Sequence, residues 1–355
     1  MKSYDTRIPN SPFYVVDNNI PRKSAVSRRR AIILFGCAIG LPALRSSGAI
    51  SADENFSLYK WEGTALGAEA KLTLAHYDAI EAEKIISSSV QEIRRLEKVF
   101  SLHKKDSELS RLNAEGYIRN SSMDLTNLIK SAVRFGYDTK GAFDITVQPL
   151  WEVFSKHFAQ HSSQLTGPSK HEIAEALKVV DFTAVEVSNR DIQLGRPGMG
   201  ITLNGIAQGY ITDKITELLK TRGIGQVLVE LGETRVLGEH PEGRAWRIGL
   251  ADPENRSEST EVVELIDKAL ATSAGSGTEF SEDGQFHHLF DPRTGLPANH
   301  NRSTSVISNS AATADALSTA LFVAEPEQAR RIVENVEGLT AIITGRDGIT
   351  RRLVG

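Results

Sequence analysis

The sequence predicts an α+β fold, with mixed or antiparallel sheets and helices packed against them. Three observations predict it. Segments of helical and strand period interleave without the regular strand–helix–strand rhythm of a doubly wound sheet. Strands dominate from residue 226 onward, after a helix-rich first half. Gly and Pro are spread along the chain, so no linker divides it, and one body covering residues 50–355 is expected.

Each element has its own signal. Residues 72–76 read as a strand and lead into an amphipathic helix from about Asp78 to Phe100. There Ile85, Ile86, Val90, Ile93, Leu96 and Phe100 recur at helical spacing. A second helix runs from about Asp124 to Tyr137, with Leu125, Leu128, Ile129 and Ala132 on one face. "GAFDITVQPLW" (141–151) alternates Phe143, Ile145 and Val147 and reads as a strand ending at Pro149, with Asp144 suited to capping a turn. Pro168-Ser169 starts a helix over 170–180, and a hairpin turns at residues 188–191. A helix follows over roughly 205–221 and stops at Gly223. Strands are then expected at 226–231, 246–250, 285–290 and 303–308. A small-residue helix (311–323), a helix from Pro326 and a strand at 340–344 complete the series.

The first 49 residues read as an export leader. Ser27-Arg28-Arg29-Arg30 stands before an apolar run from Ala31 to Leu44, with small residues at Ser47-Gly48-Ala49 and Ser51-Ala52 where a peptidase could cut. The run is shorter than the ~20 residues of a membrane span. Paired arginines after a serine resemble a twin-arginine signal, which would place the mature protein in the periplasm. An uncleaved N-terminal anchor is the alternative. The whole chain has formal net charge −4, and the leader carries eight Lys/Arg against two Asp, so the remainder stands near −10. So acidic a body argues against nonspecific nucleic-acid binding. The only cysteine, Cys37, belongs to the leader. Any metal in the mature protein must then be held by oxygen or histidine.

Four stretches could carry chemistry. In "ADALSTA" (314–320), Asp315 and Thr319 share a helix face with Ser318 beside them. A carboxylate among hydroxyls suits Mg²⁺, a hard cation; a helix-terminal aspartate among packed small residues is the plain alternative. "LNGIAQGY" (203–210) puts Gly205 and Gly209 at a helix start, where backbone can approach a phosphate or another helix. "GAFDITVQPLW" is the third. In "HHLFDPRTG" (287–295), Asp291-Pro292 opens a turn that Gly295 closes, and Arg293 offers a donor fork matched to phosphate oxygens. His287 and His288 should face opposite ways, so at most one points at what the loop holds.

Together, in this order and with "KKDSELSRLN" (104–113), these stretches resemble the ApbE-type FAD:protein FMN transferases over nearly all of the mature chain. The resemblance implies the family's T-fold-like flavin transferase fold. It implies binding of FAD and Mg²⁺, and transfer of FMN to a Ser or Thr of an acceptor flavoprotein through a phosphoester, with release of AMP. The family's acceptor pattern is Asp-Gly-x-Ser/Thr-Gly-Ala-Thr. By the same resemblance Asp315, Thr319, Ser318 and the Gly205 carbonyl would hold Mg²⁺, and His288 would be the base. Leu66, His103, Ala142, Phe143, Asp144, Thr202, Gln208, Leu289 and Arg293 would lie along FAD. The chain departs from the family pattern at several points. Thr202-Leu203-Asn204-Gly205-Ile206-Ala207-Gln208-Gly209 stands for Asp-Leu-Gly-Gly-Ile-Ala-Lys-Gly, and "ELGET" (230–234) for Asn-Leu-Gly-Gly-Asp. His103 stands where an aromatic is common, and "ATSAGSG" (271–277) replaces a Thr-Ser-Gly-Asp-Tyr run.

Overall fold

The computed structural model describes residues 6–7, 13–20, 56–160, 166–252 and 259–355. The arginine-rich flank and apolar run of the expected leader lie outside them. The helices are α1 (Ala79–Phe100), α2 (Glu108–Glu115), α3 (Met123–Asp138), α4 (Gln148–Gln160), α5 (Lys170–Leu177), α6 (Ala207–Thr221), α7 (Ala311–Val323) and α8 (Pro326–Glu334). The strands before α6 are β1 (Thr6–Arg7), β2 (Phe13–Ile20), β3 (Phe56–Ala65), β4 (Ala68–His76), β5 (Tyr117–Ile118), β6 (Val185–Ser188) and β7 (Asp191–Leu194). After it come β8 (Val227–Glu230), β9 (Thr234–Leu237), β10 (Trp246–Ala251), β11 (Ser259–Leu265), β12 (Ala269–Ala274), β13 (Asn301–Ser308), β14 (Thr340–Gly345) and β15 (Thr350–Val354).

One large sheet organises the molecule, in the order β1-β2-β3-β4-β8-β9-β12-β13-β14-β15, and its described pairings are all antiparallel. The α+β expectation holds. Helices α1, α6 and α7 cover one face, where Leu72, Ile86, Ile215, Val229, Ala316 and Phe322 share the main core. The β10–β11 hairpin covers part of the other, through Trp246, Val263 and Leu265 against Val236, Leu270 and Ile342. α7 is apolar almost all round and buried, as a helix between a sheet and other helices must be. Its N-terminus is tied down from α6. Asp213 accepts from the Ala311 and Ala312 amides at 2.8 and 3.0 Å and from Ser310 Oγ at 2.7 Å. That is the cap chemistry a helix N-terminus needs.

Two expected strands are not strands. Residues 141–151 form a tight turn, a 3₁₀ turn over Ile145–Val147 and the start of α4. Asp144 decides this: its carboxylate accepts from the Thr146 amide at 2.7 Å and the Thr146 hydroxyl at 2.5 Å. Pro149 then sits in the first turn of α4, where its missing N–H costs nothing. Residues 285–290 make only isolated bridges, His287 to Glu279 and Phe290 to Pro297. Phe280, Phe286 and Phe290 gather instead around Phe154 of α4, and packing rather than a ladder fixes the segment.

Candidate active site

The helix face read from the sequence exists. Asp315 is 3% exposed, and its Oδ2 accepts from the Gly209 amide of α6 at 3.0 Å. α6 and α7 approach closely because Gly209 has no side chain: a Cβ there would overlap the Ala311 carbonyl. Gly205 stands against Thr319, whose Oγ1 lies 2.9 Å from where a Gly205 Cβ would be. Phe143 packs on the same glycine. Ser318 is occupied within the protein, its hydroxyl donating to the Asp315 carbonyl at 2.9 Å and meeting Ser273 Oγ at 2.8 Å. Ser273 also reaches Thr319 Oγ1 at 3.2 Å.

Burial pushes the Asp315 carboxyl well above the ordinary carboxylate range; the Gly209 amide opposes this and the Asp213 charge adds to it. Beside it lies a second buried carboxylate. Glu233, in the β8–β9 turn, is 7% exposed, and burial first, then the charge of Asp315, raise its carboxyl too. Among the described residues neither acid has a Lys, Arg or His partner. The donors gathered here are therefore carboxylate, hydroxyl and carbonyl oxygens, a set that fits a hard divalent cation. No cluster of three or more His, Cys, Asp or Glu exists among the described residues to offer a competing seat.

The loop leaving β12 links this group to the histidines. Gly275 lies against the His287 ring and Gly277 against the His288 ring. His287 is 1% exposed, with its ring edge-on to Phe322 at 5.7 Å, and burial lowers its pKa to about 4. His288 is half-buried. Its Nδ1 faces the Thr278 carbonyl at 3.1 Å; a carbonyl only accepts, so the proton sits on Nδ1 and the lone pair on Nε2. Burial lowers its pKa, against that hydrogen bond, so it stays neutral at physiological pH. The two rings do not face opposite ways, because the segment is not a strand: they meet edge-on with centroids 6.5 Å apart, and His288 is the one with a free basic nitrogen.

The flavin-side residues are distributed as follows. Leu66 occupies the β3–β4 turn at φ 47°, a left-handed conformation unusual for leucine, and its amide donates to Glu97 of α1 at 2.8 Å. Thr202 ties two stretches together, its amide donating to the Ile145 carbonyl at 2.8 Å and its hydroxyl accepting from the Asn204 amide at 3.2 Å. Ala142 and Phe143 are buried next to this junction, and Leu289 is buried beside His288. Asp144 is held inside its own turn. Gln208 packs over Gly232, whose φ of 91° and missing Cβ make room for it. His103 is exposed on the loop after α1. Arg293 corrects the reading of the turn: the anion its fork holds is Asp291, at 2.8 and 2.9 Å, with Gln328 at 3.3 Å. Ser273 and Glu233 were not singled out from the sequence, although both lie in the stretches that depart from the family pattern.

Comparison with known proteins shows the family and the fold. Residues 66–343 match the model of the ApbE family. A FAD:protein FMN transferase of Klebsiella pneumoniae (strain 342) is 27% identical over 328 residues, 89% of this chain and 90% of that protein. One of Haemophilus influenzae is 31% identical over 246 residues, 66% of this chain and 70% of its own length. Among solved structures, the ApbE protein of Thermotoga maritima superposes with a TM-score of 0.74 at 29% identity, covering 83% of this chain and 97% of its own. The flavinyl transferase ApbE of Pseudomonas stutzeri gives 0.72 at 26% identity, with 84% and 95% covered.

Proposed function

The chain belongs to the ApbE family, and from that premise we propose that it transfers FMN from FAD to a Ser or Thr hydroxyl of an acceptor flavoprotein. The observation that carries the reading is the junction of Asp315, Thr319, Gly205 and Ser273 with the loop that seats His288. Asp315 and Thr319, with the Gly205 carbonyl, would hold Mg²⁺. Mg²⁺ supplies neutralisation of pyrophosphate charge. Ser318, already bonded to Asp315 and Ser273, sets the position of that helix turn. His288 Nε2 takes the proton of the acceptor hydroxyl as its oxygen attacks the phosphorus on the FMN side. A new phosphoester bond forms, the pyrophosphate P–O bond breaks, and AMP leaves. Leu66, the Ala142–Phe143 backbone, Thr202, Gln208 and Leu289 border the space for FAD. Arg293 fixes the turn below His288 rather than the cofactor.

Two further parts of the proposal concern the setting. The Ser27–Arg30 signal sends the folded chain to the periplasm, where the acceptor is a membrane-associated electron-transfer protein. Arg28→Lys with Arg29→Lys should strand the precursor in the cytoplasm; periplasmic recovery of that variant would contradict the twin-arginine route. The transfer itself is tested by mixing enzyme, FAD, Mg²⁺ and an acceptor carrying Asp-Gly-x-Thr-Gly-Ala-Thr. AMP release should require the acceptor threonine. AMP with free FMN, unaffected by Thr→Ala in the acceptor, would instead identify an FAD pyrophosphatase.

A further inference from the structure

Glu233 is the residue the reaction above leaves unexplained. A glutamate in a tight turn ordinarily points to water, yet this one is buried on the helix-covered side of the sheet. Three contacts fix it there. The carbonyl of Glu233 accepts from the Leu231 amide at 2.9 Å, closing the turn, and the Thr212 hydroxyl of α6 reaches the same oxygen at 3.4 Å. Its carboxylate accepts from the Thr272 amide of β12. The register explains that third bond: β9 pairs with Ala269 and Leu270 but ends there, so the Thr272 amide has lost its strand partner and the side chain takes its place. The same carboxylate faces Asp315.

Two buried acids side by side, without a cationic side chain on either, cost free energy unless something positive joins them. A second observation points the same way. Thr304 is 0% exposed, and its Oγ1 has no hydrogen-bond partner among the described residues. It lies directly opposite Ser273 in the β12–β13 ladder, so both side chains project from the same face, the one α7 covers. An orphaned buried hydroxyl thus stands beside the Ser273–Ser318–Thr319 cluster. Oxygen donors in excess of the hydrogens available to satisfy them are what a hard cation requires.

We propose that Glu233 is a second carboxylate of the divalent-cation seat, so that this chain binds the cation by itself, before FAD arrives. The inference rests on the Asp315 seat proposed above and adds a residue to it. A one-carboxylate seat leans on substrate phosphates to complete its charge; a two-carboxylate seat neutralises a divalent ion from the protein alone.

Mn²⁺ binding to the purified FAD-free chain, followed by the EPR signal of free Mn²⁺, tests this. The wild type should bind one Mn²⁺, and Glu233→Gln, which keeps the shape and the Thr272 contact, should weaken binding at least about tenfold. Its metal-free melting temperature should be equal to or above that of the wild type, because a buried charge has been removed. Should Glu233→Gln fail to fold, Glu233→Gly serves in its place. Unchanged Mn²⁺ affinity in the glutamine variant, with loss in Asp315→Asn, would overturn the role of Glu233 and leave the Asp315 seat standing. Binding that appears only after FAD is added, and still needs Asp315, would do the same. Unchanged affinity in both variants would overturn the seat itself, and the proposal with it.

Discussion

At the scale of single residues, the proposed proton acceptor His288 and its buried neighbour His287 each carry a separate prediction. Thr278 fixes the tautomer of His288, so removing the imidazole removes a base already oriented. His288→Ala should lower the transfer rate by about 10²- to 10⁴-fold while FAD affinity, read by fluorescence quenching, stays unchanged. Because burial lowers its pKa, the wild-type rate should hold down to pH values below the ordinary imidazole range before falling. An acid limb above that range would point to another base. His287 has a different task. It is buried neutral with a pKa of about 4 against 6.5 in the unfolded chain, so folding excludes a proton that the unfolded state binds. Its contribution is present above pH 6.5 and is lost as pH falls toward 4, an effect of about 3 kcal/mol. Denaturant titrations at pH 7 and pH 5 should therefore show a smaller pH effect for His287→Leu than for the wild type. The helix spacing made Asp315 and Thr319 legible in the sequence, since residues four apart share a face. Glu233 and Ser273 were not, because long-range β pairing puts them there and no local pattern reports it.

Elements explain why those residues meet. α6 and α7 touch through Gly209, which both removes a Cβ from the contact and donates its amide to Asp315. Gly209→Ala should destabilise the protein by about 1–3 kcal/mol through forced separation of the helices. It should also weaken cation binding, since Asp315 loses its donor; urea titration and Mn²⁺ binding would show both. A variant with wild-type stability would mean that the helices are not in contact at that point. The amphipathic helices α1 and α3 were readable because each keeps one spacing for three turns or more, and α7 was readable from its run of small residues. Two segments misled for opposite reasons. In 141–151 the alternating apolar residues were real, but Asp144 and Thr146 closed a turn that the alternation did not show. In 285–290 the strand-like pattern buries phenylalanines against α4, and the backbone bonds to 278–281 and 298 are isolated rather than a ladder. β3 escaped notice because its buried positions, Leu58, Trp61 and Ala65, do not alternate.

For the whole molecule, the antiparallel sheet is a frame whose crossovers bring residues 143, 205, 233, 273 and 315–319 together on its helix-covered side, with His288 joined to them through the loop that follows β12. The sequence pointed to an α+β body, yet the order of ten strands depends on pairings such as β4 with β8 and β9 with β12, far apart along the chain. Because the proposed cation seat joins the segment leading into α6 with α7, occupancy should stabilise the fold by mass action, about 2.7 kcal/mol at a hundredfold excess over the dissociation constant. EDTA should accordingly lower the melting temperature relative to Mg²⁺, and Asp315→Asn should abolish the difference. The central claim is that this frame holds one site in which Asp315 and His288 serve the same phosphoryl transfer. It is tested most directly by the intact mass of an Asp-Gly-x-Thr-Gly-Ala-Thr acceptor after incubation with FAD, Mg²⁺ and wild-type, Asp315→Ala or His288→Ala enzyme. The wild type should give an FMN-sized mass gain with matching AMP, Asp315→Ala no gain, and His288→Ala a strongly slowed gain. Wild-type labelling rates in either variant, or AMP from the wild type without any gain in acceptor mass, would contradict it.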